Sequence, residues 1–132
     1  MASNEQGVFS MMIDLKYLRE HPDHIFVFGD NTLGRGYKGA AALRREPNTY
    51  GFVTKKFPSA KNDAFYRPSE YLHVFEREMS KLIKTIVRNP DKTFLVSRLG
   101  AGLANRHRIF ERVIEPTIKD RLKRYPNVSF LW

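Results

Sequence analysis

Short apolar segments typical of buried strands alternate along this chain with segments that have helical spacing. Four strand patterns, "HIFVF", "YGFVTK", "KTFLVS" and "NVSFLW", are rich in β-branched and aromatic residues. This alternation predicts an α/β fold, in which helices cover both faces of a mostly parallel, mixed sheet. The chain has 132 residues, which is the length of one domain, and we therefore expect a single domain over residues 1–132.

The helical segments have recognisable ends and apolar faces. The first, "DLKYLREHPD", is predicted to end before Pro22, and "GAAALRRE" is predicted to be a short helix. A long helix is predicted to begin with Ser69 as its N-cap, and a last one with Asn105 as its N-cap. The residues predicted to face inward are Leu15, Tyr17 and Leu18 in the first helix, Leu72, Phe75, Met79, Leu82, Ile83 and Ile86 in the long helix, and Ile109, Val113, Ile114, Ile118 and Leu122 in the last.

Glycines cluster where two of the predicted strands end. The first loop, "GDNTLGRGYKG", follows "HIFVF", and the second, "RLGAGLANR", follows "TFLVS". Glycine lets backbone N–H groups approach a bound anion, and helices starting at about Lys38 and Arg106 would add their positive dipole ends. Because ligands of open parallel sheets bind beyond the carboxyl ends of the strands, we expect a pyrophosphate between the loops. The predicted ligand-binding residues are Gly29, Asn31, Gly34, Arg35, Gly36, Lys38, Gly39 and Ala40 in the first loop and Gly100, Ala101, Gly102 and Leu103 in the second.

Neither glycine loop matches a dinucleotide or P-loop fingerprint. "GRGYKG" has the G-x-G-x-x-G pattern, but it begins five residues after the strand, and "KFPSA" about 20 residues on holds no acid to bind a ribose. The alternative interpretation is that both glycine clusters are tight turns. Two such loops at strand ends of one basic α/β domain favour an anion site.

The chain is strongly basic, with a net charge of +9. Residues 35 to 67 hold eight bases and two acids, a local balance of +6, so most of the excess surrounds the first glycine loop. A basic surface attracts phosphates, either of nucleic acid or of small nucleotides. The alternative is a solvated basic face that only aids solubility.

Composition excludes several classes of chemistry. The chain has no cysteine, which excludes a thiol nucleophile, a disulfide and a thiolate zinc site. The four histidines, at positions 21, 24, 73 and 107, show no metal-ligand spacing, so we expect neither a metal nor a cofactor. The segment "MASNEQGVFSMMIDLKYL" carries acids where a signal peptide has bases, and no apolar run approaches the ~20 residues of a membrane span. The sequence predicts a soluble, cytoplasmic protein that does not bind membranes.

Asp30 and Lys55 are the candidate catalytic residues. The Asp30 carboxylate could accept a hydrogen bond from a ligand or act as a general base toward water, and the alternative is an Asx turn within its own loop. Lys55, at the end of a strand, could contact a phosphate or, with a neutral amine, attack a sugar aldehyde. The neutral amide of Asn31 can both donate to and accept from sugar hydroxyls.

Several short motifs resemble those of macro domains. "NTLGRGYKGAAAL" is similar to their signature loop, and "RLGAGLANRHRIFERVI" is similar to their phosphate-side glycine loop. A closer resemblance is to a largely uncharacterised family of small phage and bacterial proteins with "FVFGDN", "REPN" followed by "TK", and "GxGLA" motifs, over most of the chain after residue 15. The resemblance implies a macro-like three-layer α/β/α domain that binds ADP-ribose or a chemical relative, with Asn31 at the distal ribose.

The resemblance also bears on catalysis. The "TKK" segment resembles one in some macro domains that remove ADP-ribose from acidic side chains, and Lys55 matches their lysine. Those domains have an aspartate directly after "GxGL", and this chain has Ala104 at that position. The resemblance therefore implies a reader or sponge for ADP-ribose or a related nucleotide, or a slow ADP-ribosyl hydrolase acting on modified protein or nucleic acid, in a bacterial or phage-infected cell. The alternative is a basic nucleic-acid-binding protein whose glycine loops are structural turns. The sequence does not indicate the oligomeric state.

Overall fold

The computed structural model describes residues 13–132 and has an α/β architecture. Its strands are β1 (His24–Asn31), β2 (Thr49–Lys55), β3 (Thr93–Val96) and β4 (Val128–Phe130), in the spatial order β2-β1-β3-β4. Every pairing between them is parallel. The predicted α/β class is confirmed. The expectation of a mixed sheet is wrong for the described residues, because each connection between consecutive strands crosses over and returns the chain in the same direction.

The helical elements differ in kind from one another. The α-helices are α1 (Leu15–Glu20), α2 (Pro68–Arg88) and α3 (Ile118–Leu122). Three 3₁₀ turns lie at Gly39–Leu43, Asn62–Ala64 and Asn105–His107, and a π turn at Phe110–Ile114. Within residues 13–132, no helix is long and apolar enough to cross a membrane. The absence of a signal peptide was predicted mainly from residues 1–12, which lie outside the described part of the chain.

Helix α1 begins and ends close to the predicted positions. The Asp14 carboxylate accepts a hydrogen bond from the Tyr17 backbone N–H at 2.8 Å, which caps the helix, and the helix ends before Pro22. Leu18 is buried as predicted, whereas Leu15 is 39% exposed. The expectation for Leu15 was wrong, since the face of this helix that packs on the sheet is formed by Leu18 with Tyr17 partly buried beside it.

Helix α2 begins earlier than predicted. Pro68 occupies its first turn and Arg67 its N-cap position, where the Glu70 carboxylate accepts from the Arg67 backbone N–H at 2.9 Å. Ser69 is therefore inside the helix and not its cap. Tyr71 is fully buried and Leu72 is 55% exposed, so the apolar face begins at Tyr71. The rest of the predicted face is correct, with Phe75, Met79, Leu82 and Ile86 buried and Ile83 partly buried.

Two buried side chains of α2 hydrogen-bond to the open edge of β2. The Tyr71 hydroxyl donates to the Val53 carbonyl, and the Glu78 carboxylate accepts from the Val53 N–H at 2.8 Å. Because β2 is the end strand of the sheet within residues 13–132, these bonds occupy backbone groups that would otherwise be open to another chain. Burial and the nearby Glu78 raise the pKa of Tyr71 far above its usual range, so its hydroxyl stays a donor.

The predicted last helix is divided into three pieces. The 3₁₀ turn, the π turn and α3 follow one another between Asn105 and Leu122. Asn105 still caps this region, because its amide accepts from the Phe110 backbone N–H at 3.0 Å and donates to Glu111 at 2.9 Å. All five residues predicted to face inward are buried. The apolar pattern was therefore correct, although the helix it predicted is not continuous.

Apolar residues cover both faces of the sheet. On one face α2, the π turn and α3 pack against Val27, Phe52, Phe94 and Val96. On the other, α1 and the 3₁₀ turn at Gly39–Leu43 pack against Phe26, Phe28 and Leu95. Successive residues of a strand point to opposite faces, so β1 and β3 each contribute to both clusters.

Candidate functional site

A crevice lies where the carboxyl ends of β1 and β3 meet. The last pair between these strands is Val27 with Val96, but β1 continues to Asn31 beside β2, so within residues 13–132 its final residues have no strand partner on the β3 side. After β1 the chain turns toward β2, and after β3 it turns the other way toward β4. This divergence is the switch point at which open α/β sheets bind their ligands.

The crevice opens into a cavity of about 660 Å³, within the range of small-molecule sites. It brings together most of the residues predicted from the sequence. Those lining it are Gly29, Asp30, Asn31, Arg35, Gly36, Lys38, Gly39, Ala40, Lys55, Gly100, Gly102 and Leu103. Gly34 and Ala101 do not line it, and Ala101 packs against the larger core cluster.

Part of the lining had not been predicted. Pro58, Ser59 and Ala60 form a wall after β2, and Arg98 and Arg106 also contribute. Arg98 and Arg106 are the first and last residues of the second glycine loop, so their charge was the available signal. Residues 58–60 have no charge or glycine pattern that would indicate a binding role. They reach the crevice only because the chain turns back after β2.

The first glycine loop has a backbone that favours glycine. Gly34, Gly36 and Gly39 have φ angles of 63°, 102° and 61°, in the left-handed region that other residues rarely adopt. In the second loop, Gly100 has a φ of 80°, and a Cβ there would lie 2.6 Å from Ile114 Cδ1. A Cβ at Gly102 would meet no atom within 4 Å, so that position has open space beside it.

The expected α-helix N-termini at the crevice are not found in the described residues. A five-residue 3₁₀ turn begins at Gly39, and a three-residue 3₁₀ turn spans Asn105–His107. Such short turns align too few peptide dipoles to make a useful positive end. Positive charge at this site therefore comes from side chains and from individual backbone N–H groups.

The Asp30 carboxylate is held in an ion pair behind the crevice. Arg44 donates from Nη2 to Asp30 Oδ1 at 2.6 Å and from Nη1 to Asp30 Oδ2 at 3.1 Å. The Asn31 backbone N–H also donates to Asp30 Oδ1, at 2.8 Å. The side chains of Asp30 and Arg44 are 12% and 11% exposed, respectively. The Asp30 carboxylate is neutralised and both of its oxygens accept hydrogen bonds, which favours the structural interpretation of Asp30 over that of a general base.

Cations dominate the rest of the lining. Arg35, Lys38, Lys55, Arg98 and Arg106 line the crevice, and the only acid among the described lining residues is the paired Asp30. Five basic side chains and one acid leave a balance of 5 − 1 = +4. An excess of charges of one sign around a concave surface attracts an oppositely charged ligand.

Lys55 lies close to two other cations of the lining, Lys38 and Arg106. Partial burial, followed by the charges of Lys38 and Arg106, lowers the pKa of its ammonium group. Its Nζ lies 5.0 Å from the centre of the Phe65 ring, and the Arg106 guanidinium lies 4.3 Å from the same ring. Lys55 forms no salt bridge with any acid in the part of the chain that the structure describes. Both cations therefore lie against the same ring. A bound anion beside them would reduce the repulsion between the two positive charges.

Two histidines have structural contacts at the other end of β1. His21 and His24 stack with ring centres 5.1 Å apart, and Tyr17 stacks on His21 at 4.1 Å. The Tyr17 hydroxyl is 2.7 Å from His24 Nδ1. No group of three metal-ligating side chains occurs among residues 13–132.

Comparison with known protein families gave a match over most of the chain. The model of a family described as "Family of unknown function (DUF7831)" matches residues 8–107, which contain both glycine loops. No curated protein and no solved structure gave a significant match.

Proposed function

We propose that this chain, which belongs to the DUF7831 family of unknown function, binds ADP-ribose or a related nucleotide in the crevice between its two glycine loops. The pyrophosphate would lie between residues 35–39 and 98–104, and the protein would act as a reader or sponge. A macro-like three-layer domain and a cytoplasmic location are expectations from the sequence that accompany this proposal.

The observation that carries the proposal is the charge of the crevice. Five basic residues line it, and its single acid is already neutralised by Arg44. A cavity that served an apolar or cationic ligand would gain nothing from this arrangement, because the like charges raise its electrostatic energy when it is empty. A pyrophosphate supplies at least two negative charges over a short distance and can contact several of these side chains together.

The rim of the crevice suits the uncharged parts of a nucleotide. Tyr37 is 50% exposed and Leu103 is 64% exposed, although both are large apolar residues. They lie on the first and second glycine loops, respectively, and both line the cavity. An aromatic ring and a branched apolar side chain at the opening provide surfaces on which a base or a sugar could pack.

Binding without rapid hydrolysis is the better-supported form of the proposal. A glycosidic or ester hydrolase needs a free acid or base within reach of the reacting bond. Asp30 is occupied by Arg44, and Ala104 is a buried residue of the lining at the position where the macro domains that this segment resembles carry an aspartate. Lys55 could act as a nucleophile only with an acid to protonate the leaving group.

Titration calorimetry with ADP-ribose, ADP, ribose 5-phosphate and inorganic pyrophosphate tests the proposal. ADP-ribose should bind, pyrophosphate should compete with it, and ribose 5-phosphate should bind more weakly because it lacks the second phosphate. Gly102→Phe should abolish binding, since the open space beside Gly102 lets a ring enter the crevice without displacing protein atoms. Val87→Phe adds a ring at an exposed position of α2 and is the matched control. Absence of wild-type binding to ADP-ribose and pyrophosphate at millimolar concentration would refute the proposal.

A further inference from the structure

Arg44 lies behind the crevice and does not line it. Besides its two bonds to Asp30, its Nε donates to the Gly36 carbonyl at 2.7 Å, and its guanidinium lies 5.3 Å from the centre of the Phe28 ring. The side chain is 11% exposed. One buried guanidinium therefore links the carboxyl end of β1 to the middle of the first glycine loop.

Asn31 makes a second, similar link. Its Nδ2 donates to the Arg35 carbonyl at 2.7 Å, and its Oδ1 accepts from the Leu33 backbone N–H at 3.0 Å. The residue is only 8% exposed. Two successive carbonyls of the loop, those of Arg35 and Gly36, are thus each held by a buried side-chain donor.

These two bonds determine the direction of the N–H groups that share the same peptide units. In a trans peptide the C=O and the N–H point in opposite directions, so the N–H groups of Gly36 and Tyr37 point away from Asn31 and Arg44. Neither N–H donates to an acceptor within residues 13–132. Successive free N–H groups next to a left-handed glycine form a concave anion site. A loop with its carbonyls turned inward would instead repel an anion.

We propose that Arg44 is a positioning residue for anion binding, which fixes the first glycine loop so that the Gly36 and Tyr37 N–H groups are presented to phosphate oxygens. This inference rests on the proposed function. Arg44 acts through geometry and not through its charge, because Asp30 already neutralises that charge. A lysine at this position could pair with Asp30 but could not also reach the Gly36 carbonyl, since it lacks the planar fork of donors.

The test compares Arg44→Lys with Arg45→Lys. Arg45 is the adjacent residue, is exposed, and donates to the Tyr37 hydroxyl at 3.1 Å, so the matched variant makes the same chemical change without touching the loop carbonyls. ADP-ribose and inorganic pyrophosphate are titrated calorimetrically at a temperature where circular dichroism shows each variant folded. Arg44→Lys should weaken both ligands by about tenfold or more, the loss of one hydrogen bond to a charged group. Arg45→Lys should stay within twofold of the wild type.

A second measurement does not depend on a folded variant. In the wild-type protein, backbone amide shifts followed during pyrophosphate titration should change at Gly36 and Tyr37. Unchanged shifts at both amides despite binding would overturn the inference, as would an Arg44→Lys affinity within twofold of the wild type; either result would leave the proposed function standing. Wild-type protein that binds neither probe would overturn both.

Discussion

Replacing Asp30 by asparagine should mainly destabilise the protein. The substitution removes the negative charge that faces Arg44 and places an amide NH₂ against a guanidinium that has no other acidic partner among the described residues. A catalytic base in an open crevice would behave differently, because its removal costs activity and leaves stability nearly unchanged or improved. The variant therefore separates the two interpretations of Asp30.

The size of the effect follows from burial. Removing one partner of a buried ion pair costs about 3 to 5 kcal/mol, because a charge is left without compensation. The two side chains are 12% and 11% exposed, and an asparagine oxygen can still accept one bond, so we take the lower end, about 3 kcal/mol. A domain of this length unfolds with an entropy of about 0.28 kcal/mol per kelvin, so the Tm should fall by about 11 °C.

Thermal and urea unfolding followed by circular dichroism would measure this loss. Asp120→Asn is the control, because Asp120 and Lys123 form an ion pair of 2.7 Å whose side chains are 77% and 70% exposed. An exposed ion pair of this kind contributes little to stability, so the Tm of the control should equal that of the wild type. The reasoning would be refuted if Asp30→Asn lowered the Tm by less than about 3 °C, or by no more than the control does.

Three further predictions concern the charge of the site. Lys55→Met should weaken ADP-ribose binding by about 1.5 to 3 kcal/mol. Borohydride should trap no ligand adduct on wild-type Lys55. A trapped adduct detected by mass spectrometry would instead establish covalent chemistry. The pKa of Lys55 is lowered, and only its ammonium form attracts the anion. Wild-type affinity should therefore fall as pH rises, at a lower pH than for an ordinary lysine, and calorimetry should show no such step in Lys55→Met. Duplex DNA should bind weakly and lose affinity steeply with added salt in fluorescence anisotropy, as counterion release requires; nanomolar, sequence-selective binding at physiological salt would favour the nucleic-acid alternative.

Much of the fold could be predicted because it depends on local patterns. The strands were located by their β-branched and aromatic residues, and the parallel sheet by the helical segments between them. Helix starts were less accurate, since Ser69 and Pro68 are both acceptable in a first turn and packing decided between them. The contact of the Tyr71 hydroxyl with Val53 requires Tyr71 to face inward, and this rotates Leu72 into solvent.

The sequence by itself also indicated which segments contribute to the site. Glycines after two strands and a local excess of bases are visible in the chain, and the carboxyl ends of parallel strands lie on one edge of the sheet. That rule is enough to place Gly29, Lys55 and Gly100 near one another, and the structure has all three lining one cavity.

Only the tertiary structure decided what the polar residues of the site do. Asp30 and Arg44 are separated by 14 residues, and nothing in their spacing distinguishes a buried ion pair from a free carboxylate and a surface base. Their pairing depends on the 3₁₀ turn after β1 folding back over the face of the sheet that holds Phe28. The strength of a charge or a hydrogen bond depends on burial and on partners that are distant along the chain. Local sequence patterns therefore located the site, and the packing of the chain assigned Asp30, Asn31 and Arg44 to supporting the loop.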